Sequence, residues 1–357
     1  MGPLSAVAQP VHLRHRVASD EDVGAVRREL HRYCLARDVP AVVLARAELA
    51  VTEIATNILY HAAGNGWVLF RVIQTAAAVI VEVIGVDQGP GIANLAHVLA
   101  EGARRDGGEL RAGTGRPAGL GVGLGTVRRL ASTFDIWSRP GDGTVLCARF
   151  HAGAAEMERG CRIGGVSIAL DGFGLDNGDG WATAESNGAR TAIVVDGLGH
   201  GRDAKAAADA ALAVFERQYT GDLLEYLPIA HDAMRATRGG AIGGVRIDPL
   251  RRKAYFVGVG NVEGRIYLRN RTQGLTSRNG TLGMNVAPPS SKLLEYVWEP
   301  PAVVVLHSDG IRLRLEPERM RDLATHDPTV AAAVIHRDCA RVHDDATVVV
   351  VTDPGGG

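Results

Sequence analysis

The amino-acid sequence predicts an α+β protein built from two domains. Its 357 residues amount to about two domains of roughly 150 residues each. The first half combines helix-type apolar periodicity with two strand-like runs, GWVLFRVIQ and AVIVEVIGV. This pattern predicts helices packed on an antiparallel sheet. The second half contains several apolar runs of strand length that end in acidic, glycine-rich turns, which predicts a second, β-rich domain.

Composition narrows the class of protein. With 46% hydrophobic residues the chain can bury two cores, and a formal net charge of -1 without a basic block argues against a nucleic-acid-binding surface. The four cysteines are scattered without a CxxC pair, so neither a zinc site nor a disulfide framework is expected. The first ten residues lack a signal-type pattern and the apolar runs are too short to span a membrane, so a soluble cytoplasmic protein is expected.

The first half divides into recognisable elements. Residues 1–10 are predicted to be a disordered tail, and VHLRHRV a first strand. Ser19 and the acidic residues after it predict the start of a helix through about Ala36, which ends before Pro40. A second helix is predicted from about Ala41, and residues 11–150 form the first domain.

Candidate site residues follow in a fixed order. Glu53, Asn57 and His61 recur at i, i+4 and i+8 of the second helix, so the first two can act on one face. Downstream, a predicted strand ends at an acidic residue, a glycine-rich stretch runs into a helix, and a turn precedes a last strand. These features are Asp87 with Gly89 and Gly91; GLGVGLG with Gly119, Gly121 and Gly123; and GDGT with Thr144. Glycine-rich backbone that enters a helix N-terminus is a typical phosphate-binding element.

This set resembles the ATP-binding proteins of the gyrase and histidine-kinase (GHKL) superfamily, and within it the RsbT/RsbW-like anti-sigma-factor serine kinases. GLGVGLGTVRRLASTFDIWSRPGDGT is more similar to the RsbT branch. The resemblance implies an α/β sandwich with Glu53 as general base, Asn57 as Mg²⁺ ligand and Asp87 as adenine anchor. Gly89, Gly91, Gly119, Gly121 and Gly123 would shape the nucleotide loops, with Thr144 near the adenine. Residues 101–118 are either a disordered linker or a mobile ATP lid.

Two other interpretations of the first half stay open. It could sequester a sigma factor or partner protein in a nucleotide-dependent way, or it could be an ATP sensor that gates the second half. Only Glu53 specifically favours phosphoryl transfer, because the other residues would serve ATP binding in any case. His61 is interpreted as structural, since nothing near it in sequence requires an imidazole.

The second half, residues 161–353 after a linker at 151–160, places acidic residues at several strand ends. They are Asp179 in NGD, Asp196 in DGLGHG, Asp309 in SDGI, and Asp344 with Asp345 in DDAT. Carboxylates gathered in this way are the ligands that hard divalent cations prefer.

These motifs, together with VGVGN and TLGM, resemble the SpoIIE/RsbX-like branch of the PP2C metal-dependent protein phosphatases. The resemblance implies an αββα sandwich and two Mn²⁺ or Mg²⁺ ions held by Asp179, Asp196, the Gly197 carbonyl, Asp309 and Asp344. Its neighbour Asp345 is the alternative candidate for a ligand. His200 and Asn261 are interpreted mainly as loop and turn residues.

The sequence therefore predicts a bacterial regulator in which an RsbT-like serine/threonine kinase is fused to an RsbX-like phosphatase. By resemblance its partners would be STAS-domain proteins of a stressosome or partner-switching pathway, with a sigma factor or a downstream phosphatase as further candidates. No nucleic acid or membrane is expected as a partner, and a homodimer is left open.

Overall fold

The computed structural model describes residues 5–75, 78–101, 123–153 and 161–355. The chain separates into two compact units. The first unit is Arg14–Glu156, and the second unit combines Met1–Leu13 with Met157–Gly357. Gly119, Gly121, most of the candidate lid at 101–118 and most of the linker at 151–160 lie outside the described residues.

The prediction of a disordered tail is wrong for part of residues 1–10. Ser5–Gln9 form strand β1, which pairs antiparallel with residues 181–185 of the second unit. The backbone N–H of Ala8 also donates to Glu216 at 2.8 Å. This strand was missed because it is stabilised by pairing with a distant segment rather than by a local apolar pattern.

The first unit consists of helices packed on one five-stranded sheet. Its elements are β2 (Leu13–Val17), α1 (Asp20–Leu35), α2 (Ala41–His61), β3 (Gly66–Gln74), β4 (Val79–Asp87), α3 (Leu95–Glu101), α4 (Gly123–Leu130), β5 (Thr133–Arg139) and β6 (Gly143–Phe150). The strand order is β2-β3-β4-β6-β5. Helix α2 contacts β3, β4 and β6 as well as α1 and α4. The predicted α/β sandwich is confirmed.

Local signals explain the two long helices. Ser19 and Asp22 form a reciprocal capping box at the start of α1, which satisfies backbone N–H groups that the helix itself cannot. In α2, Val43, Ala47 and Ile54 belong to a fully buried stripe that packs on the sheet. Burial of that stripe leaves Glu53 and Asn57 on the flank of the helix, half-buried.

The second unit contains two sheets and four helices among the described residues. Its further elements are β7 (Arg162–Ile168), β8 (Asp179–Ser186), β9 (Ala189–Gly197), α5 (Arg202–Gln218), α6 (Leu223–Met234), β10 (Gly240–Asp248), β11 (Lys253–Val259), β12 (Glu263–Tyr267), β13 (Thr272–Leu275), β14 (Leu294–Val297), β15 (Ala302–His307), α7 (Pro317–Leu323), α8 (Pro328–Cys339) and β16 (Ala346–Asp353). Sheet A has the order β1-β8-β9-β10-β11-β14, and sheet B the order β13-β12-β15-β16-β7.

The two sheets pack face to face between helices. Trp181 and Val194 of sheet A share one core with Val304 and Val349 of sheet B. A second core lies between sheet A and helices α5 and α6, while α8 packs on β7 and β16 of sheet B. The predicted αββα sandwich is confirmed. Along the described part of the chain, no helix has the length and apolarity needed to cross a membrane.

Candidate functional sites

In the first unit, α2 presents Glu53 and Asn57 one turn apart. Glu53 Oε2 accepts a hydrogen bond from the backbone N–H of Gly123 at 3.2 Å, at the start of α4. Burial raises the pKa of the Glu53 carboxyl above its usual range, and the Gly123 N–H partly offsets this effect. A carboxylate with a raised pKa is a stronger proton acceptor, which suits a general base.

The Asn57 carboxamide carries an unsatisfied polar atom. Its Nδ2 atom is buried and lacks a hydrogen-bond partner within the described residues. An unsatisfied buried amide donor is costly, so a ligand atom that accepts its hydrogen bond would be stabilised here. The sequence predicted Glu53 and Asn57 on one face of a helix, and in the structure they lie one turn apart on α2.

Asp87 organises the loop that follows β4. Its Oδ1 atom accepts backbone hydrogen bonds from Gly89 at 2.8 Å and from Thr144 at 3.2 Å. Asp87 and Thr144 are also paired across strands β4 and β6, and the Thr144 hydroxyl lies 2.9 Å from Ser138 Oγ. Asp87, Gly89 and Thr144 therefore form one local cluster at the end of the sheet.

Gly91 is required by the backbone of this loop. It has φ +70°, and an added Cβ would lie 2.0 Å from the Arg139 carbonyl oxygen. A side chain there would be both strained and obstructed. The loop is thus held against the β5–β6 turn, which is further fixed by a bond of 2.9 Å from the Ile92 N–H to Ser138 Oγ.

The second unit brings acidic strand ends together. Asp179 begins β8 and Asp196 lies near the end of β9, and the two residues are directly paired across the strands. Asp179 is buried and accepts a hydrogen bond of 2.5 Å from Ser308 Oγ. Asp196 Oδ2 is buried and has no hydrogen-bond partner within the described residues.

Asp309 reaches the same region from the end of β15. Its Oδ2 atom accepts a hydrogen bond of 2.7 Å from Asn261 Nδ2. The roles of Asn261 and Ser308 were not predicted from the sequence. The sequence could have indicated Ser308, because it directly precedes Asp309 in the SDG turn and so must lie close to the same site.

The adjacent residues Asp344 and Asp345 differ in role. Asp345 is buried, and its two oxygens accept backbone N–H groups from Leu170 at 2.7 Å and Gly178 at 2.8 Å. It therefore tethers two loops. Asp344 is half-buried, and burial followed by the charge of Asp309 raises its pKa, so Asp344 lies close to Asp309, while the charge of Asp345 acts on Asp179 and Asp196.

Gly197 allows helix α5 to approach the end of β9. An added Cβ would lie 2.2 Å from the carbonyl oxygen of Ala204, so any larger residue would displace the helix. His200 lies beyond this point on an exposed loop, with its ring centroid 5.1 Å from that of Phe173. This position agrees with the interpretation of His200 as a loop residue.

The buried carboxylates Asp179 and Asp196 lack a counter-charge among the described residues. Burial and the neighbouring Asp196 hold the pKa of Asp179 well above its usual range, and burial and Asp309 raise that of Asp196. Throughout the described residues, no arginine, lysine or histidine forms an ion pair with Asp179, Asp196, Asp309 or Asp344. Among the described residues, no group of three or more histidine, cysteine, aspartate or glutamate side chains is already arranged to hold a metal ion.

Comparison with known proteins agrees with the geometry of the first unit. Residues 17–150 match the histidine kinase-like ATPase domain family. Over 133 residues, 37% of this chain and 91% of the relative, the chain is 30% identical to the serine/threonine-protein kinase RsbT of Bacillus subtilis strain 168.

Similar solved structures include RsbX in complex with magnesium, which is 18% identical and covers 56% of this chain and 98% of its own, with a TM-score of 0.49. The catalytic domain of the phosphatase PstP with two manganese ions is also 18% identical and covers 54% of this chain and 98% of its own, with a TM-score of 0.42. These structural similarities are too low to carry an argument about activity. The match in the first unit is sufficient for assignment: the chain belongs to the RsbT family of serine/threonine-protein kinases.

Proposed function

We propose that this protein is a bifunctional signalling enzyme, with a serine/threonine kinase in the first unit and a metal-dependent phosphoserine/phosphothreonine phosphatase in the second. The kinase half is supported by the family assignment and by the joint placement of Glu53, Asn57 and Asp87. The phosphatase half is supported chiefly by one observation: buried carboxylates are gathered in the second unit without any cation from the chain.

In the kinase half, the chain positions a nucleotide and a proton acceptor. ATP would supply the phosphoryl group, and Mg²⁺ would neutralise phosphate charge. Asp87 would accept a hydrogen bond from the adenine, and its bonds to Gly89 and Thr144 fix the direction of its carboxylate. Glu53 would take the proton of the substrate hydroxyl, and the Gly123 N–H orients its carboxylate.

Asn57 fits a role in holding Mg²⁺. A carboxamide oxygen is a hard ligand that can share the coordination sphere with phosphates and water. Asn57 Nδ2 has no hydrogen-bond partner among the described residues, so no bond to that atom holds the carboxamide in another orientation. Gly119, Gly121 and Gly123 would complete the phosphate-binding loop, by analogy with glycine-rich loops at helix N-termini.

In the phosphatase half, Asp179, Asp196, Asp309, Asp344 and the Gly197 carbonyl would hold two Mn²⁺ or Mg²⁺ ions. Such ions would activate water and neutralise phosphate charge. The donor set fits, because every side-chain ligand is a hard oxygen and the orphaned Asp196 Oδ2 needs a positive partner.

Neighbouring residues keep these carboxylates in place. Ser308 donates to Asp179 and Asn261 donates to Asp309, so one oxygen of each carboxylate is oriented by the protein. Asp345 keeps the Leu170 and Gly178 backbone against the turn before β16. The chain thus supplies a preorganised shell around the proposed ligands.

The proposed substrates are STAS-domain proteins of a stressosome or partner-switching circuit, on which the two activities would oppose each other. A sigma factor or a downstream phosphatase is a further candidate partner. Fusion would keep both activities near one partner at a raised effective concentration.

One experiment tests both halves. The full-length protein is mixed with γ-labelled ATP, Mg²⁺ and a candidate STAS protein, and the label on serine or threonine is followed. We expect labelling with Mg²⁺·ATP and its loss after addition of Mn²⁺ and removal of ATP. Binding of ATP without transfer would favour nucleotide-dependent sequestration or a sensor. Label that persists with Mn²⁺ would contradict the phosphatase half.

A further inference from the structure

A pocket of about 290 Å³ has Asp309 in its wall. Four arginines line it, namely Arg265, Arg312, Arg314 and Arg341. Only two acidic residues are among its lining, Glu263 and Asp309 itself. The wall therefore carries an excess of positive charge directly next to the proposed reaction site.

The backbone fixes two of these arginines to the turn that bears Asp309. The Arg341 N–H donates to the Gly310 carbonyl at 2.7 Å, and the Arg312 N–H donates to the Cys339 carbonyl at 2.9 Å. A bridge between Ile311 and Ala340 holds the two segments side by side. Arg265 projects from β12, which pairs with β15, the strand that leads to Asp309. The same strands and turns therefore determine where these arginines and Asp309 lie.

The guanidinium groups are available to a ligand. Within the part of the chain that the structure describes, none of the four forms an ion pair with a carboxylate. Arginine binds carboxylates through two parallel N–H groups, so several unpaired guanidinium groups around one concavity make a selective anion site.

We propose that this arginine pocket binds an aspartate or glutamate side chain of the protein substrate that lies close to the phosphoserine undergoing hydrolysis. This inference rests on the proposed phosphatase function and adds its substrate preference. An extended peptide advances about 3.3–3.6 Å per residue. A carboxylate one to three residues from the phosphoserine therefore falls about 10 Å or less from it, and Asp309 lines both sites.

The charge pattern explains why such a pocket is useful. The two proposed dications would be offset by the four carboxylates that hold them, so they leave little positive charge for acidic residues beside the phosphoserine. The arginines beside that site supply this positive charge and select for acidic segments over neutral ones.

The test compares two synthetic phosphoserine peptides that differ only in flanking glutamates or glutamines. Hydrolysis is measured with the full-length protein and Mn²⁺. We expect kcat/KM to be about tenfold higher for the glutamate peptide, as one or two partly exposed charge pairs would give. The double variant Arg312→Glu/Arg314→Glu should abolish or reverse this ratio. Arg341 is left intact because its charge acts on Asp344.

The matched control is Arg269→Glu, an exposed residue outside the pocket, which should keep the parental ratio. Because both peptides are hydrolysed by the same preparation, any general loss of activity cancels from the ratio. An equal rate on both peptides for the parent protein, or an unchanged ratio in the double variant, would overturn the inference.

Failure of the proposed function gives a different result. If the parent protein hydrolyses neither peptide, the phosphatase assignment is lost, and calorimetry then measures binding of the same peptides. Tighter binding of the glutamate peptide that the double variant loses would still support the pocket. Equal binding of the two peptides would refute it.

Discussion

Replacement of Asp87 separates its structural role from its proposed role as adenine anchor. Oδ1 already accepts the N–H groups of Gly89 and Thr144. Asp87→Asn retains one carbonyl oxygen for these two bonds but removes the charge and replaces an acceptor with a donor. Loss of one charged hydrogen bond to the nucleotide should cost about 1.5–3 kcal/mol, or roughly ten- to a hundredfold in ATP affinity. The melting temperature should change little.

Asp87→Ala has a second consequence, because it leaves both N–H groups without their acceptor. Each lost bond should cost about 0.5–1.5 kcal/mol, so this variant should lose stability as well as affinity. Calorimetric titration with Mg²⁺·ATP and hydrogen exchange of the β4–β6 amides measure the two effects separately. Asp38→Asn is the control, since Asp38 is exposed and has φ 52°, which asparagine tolerates well. Parental ATP affinity in Asp87→Asn would refute the adenine role and leave Asp87 purely structural.

Three further predictions concern transfer, hydrolysis and stability. Glu53→Gln should keep ATP affinity but slow phosphoryl transfer to a STAS protein by on the order of 10²–10⁴; parental transfer rates would remove Glu53 as the base. Asp196→Asn or Asp309→Asn should abolish Mn²⁺-dependent hydrolysis of a phosphoserine peptide while labelling by ATP continues, and a variant that still hydrolyses at the parental rate would contradict the metal assignment. Glu82→Ala should lower the free energy of unfolding of the first unit by about 3–5 kcal/mol, whereas Glu185→Ala, which breaks an exposed pair, should cost under about 1 kcal/mol. Hydrogen exchange in β4 during denaturant titration measures the Glu82 effect, and a loss similar to that of Glu185→Ala would refute it.

The sequence was most informative where a buried strand ends. Asp87 and Asp196 each follow an apolar run and stand at the start of a glycine-rich turn, so both the strand and its acidic end could be placed. The structure confirms that Asp87 ends β4 and that Asp196 is the last residue but one of β9. Hydrophobic periodicity determines where a strand lies and which residue leaves the core first.

Contacts between segments that are distant in the sequence could not be predicted from sequence patterns. Strand β1 forms by pairing with β8, and the paired residues are far apart in the sequence, as Ser5 with Glu185 and Gln9 with Trp181 show. Likewise, adjacent residues of a strand or turn point in different directions, but the sequence does not say which of Asp344 and Asp345 faces the acidic group. The structure shows that both Asp345 oxygens accept backbone N–H groups from Leu170 and Gly178, and the ligand role of Asp344 stays a prediction.

The two units treat buried acidic residues in opposite ways, and the contrast strengthens the case for metal. In the first unit, the fully buried Glu82 is neutralised by Arg71 and Arg149, each at 2.7 Å. The chain therefore provides its own cations where a buried carboxylate serves the fold alone. In the second unit it provides none for Asp179 or Asp196 among the described residues, although both are largely buried and burial raises the pKa of each. Since an uncompensated buried charge costs several kcal/mol, this contrast supports the proposal that a bound cation supplies the compensating charge, and oxygen ligands of this kind favour a hard divalent cation.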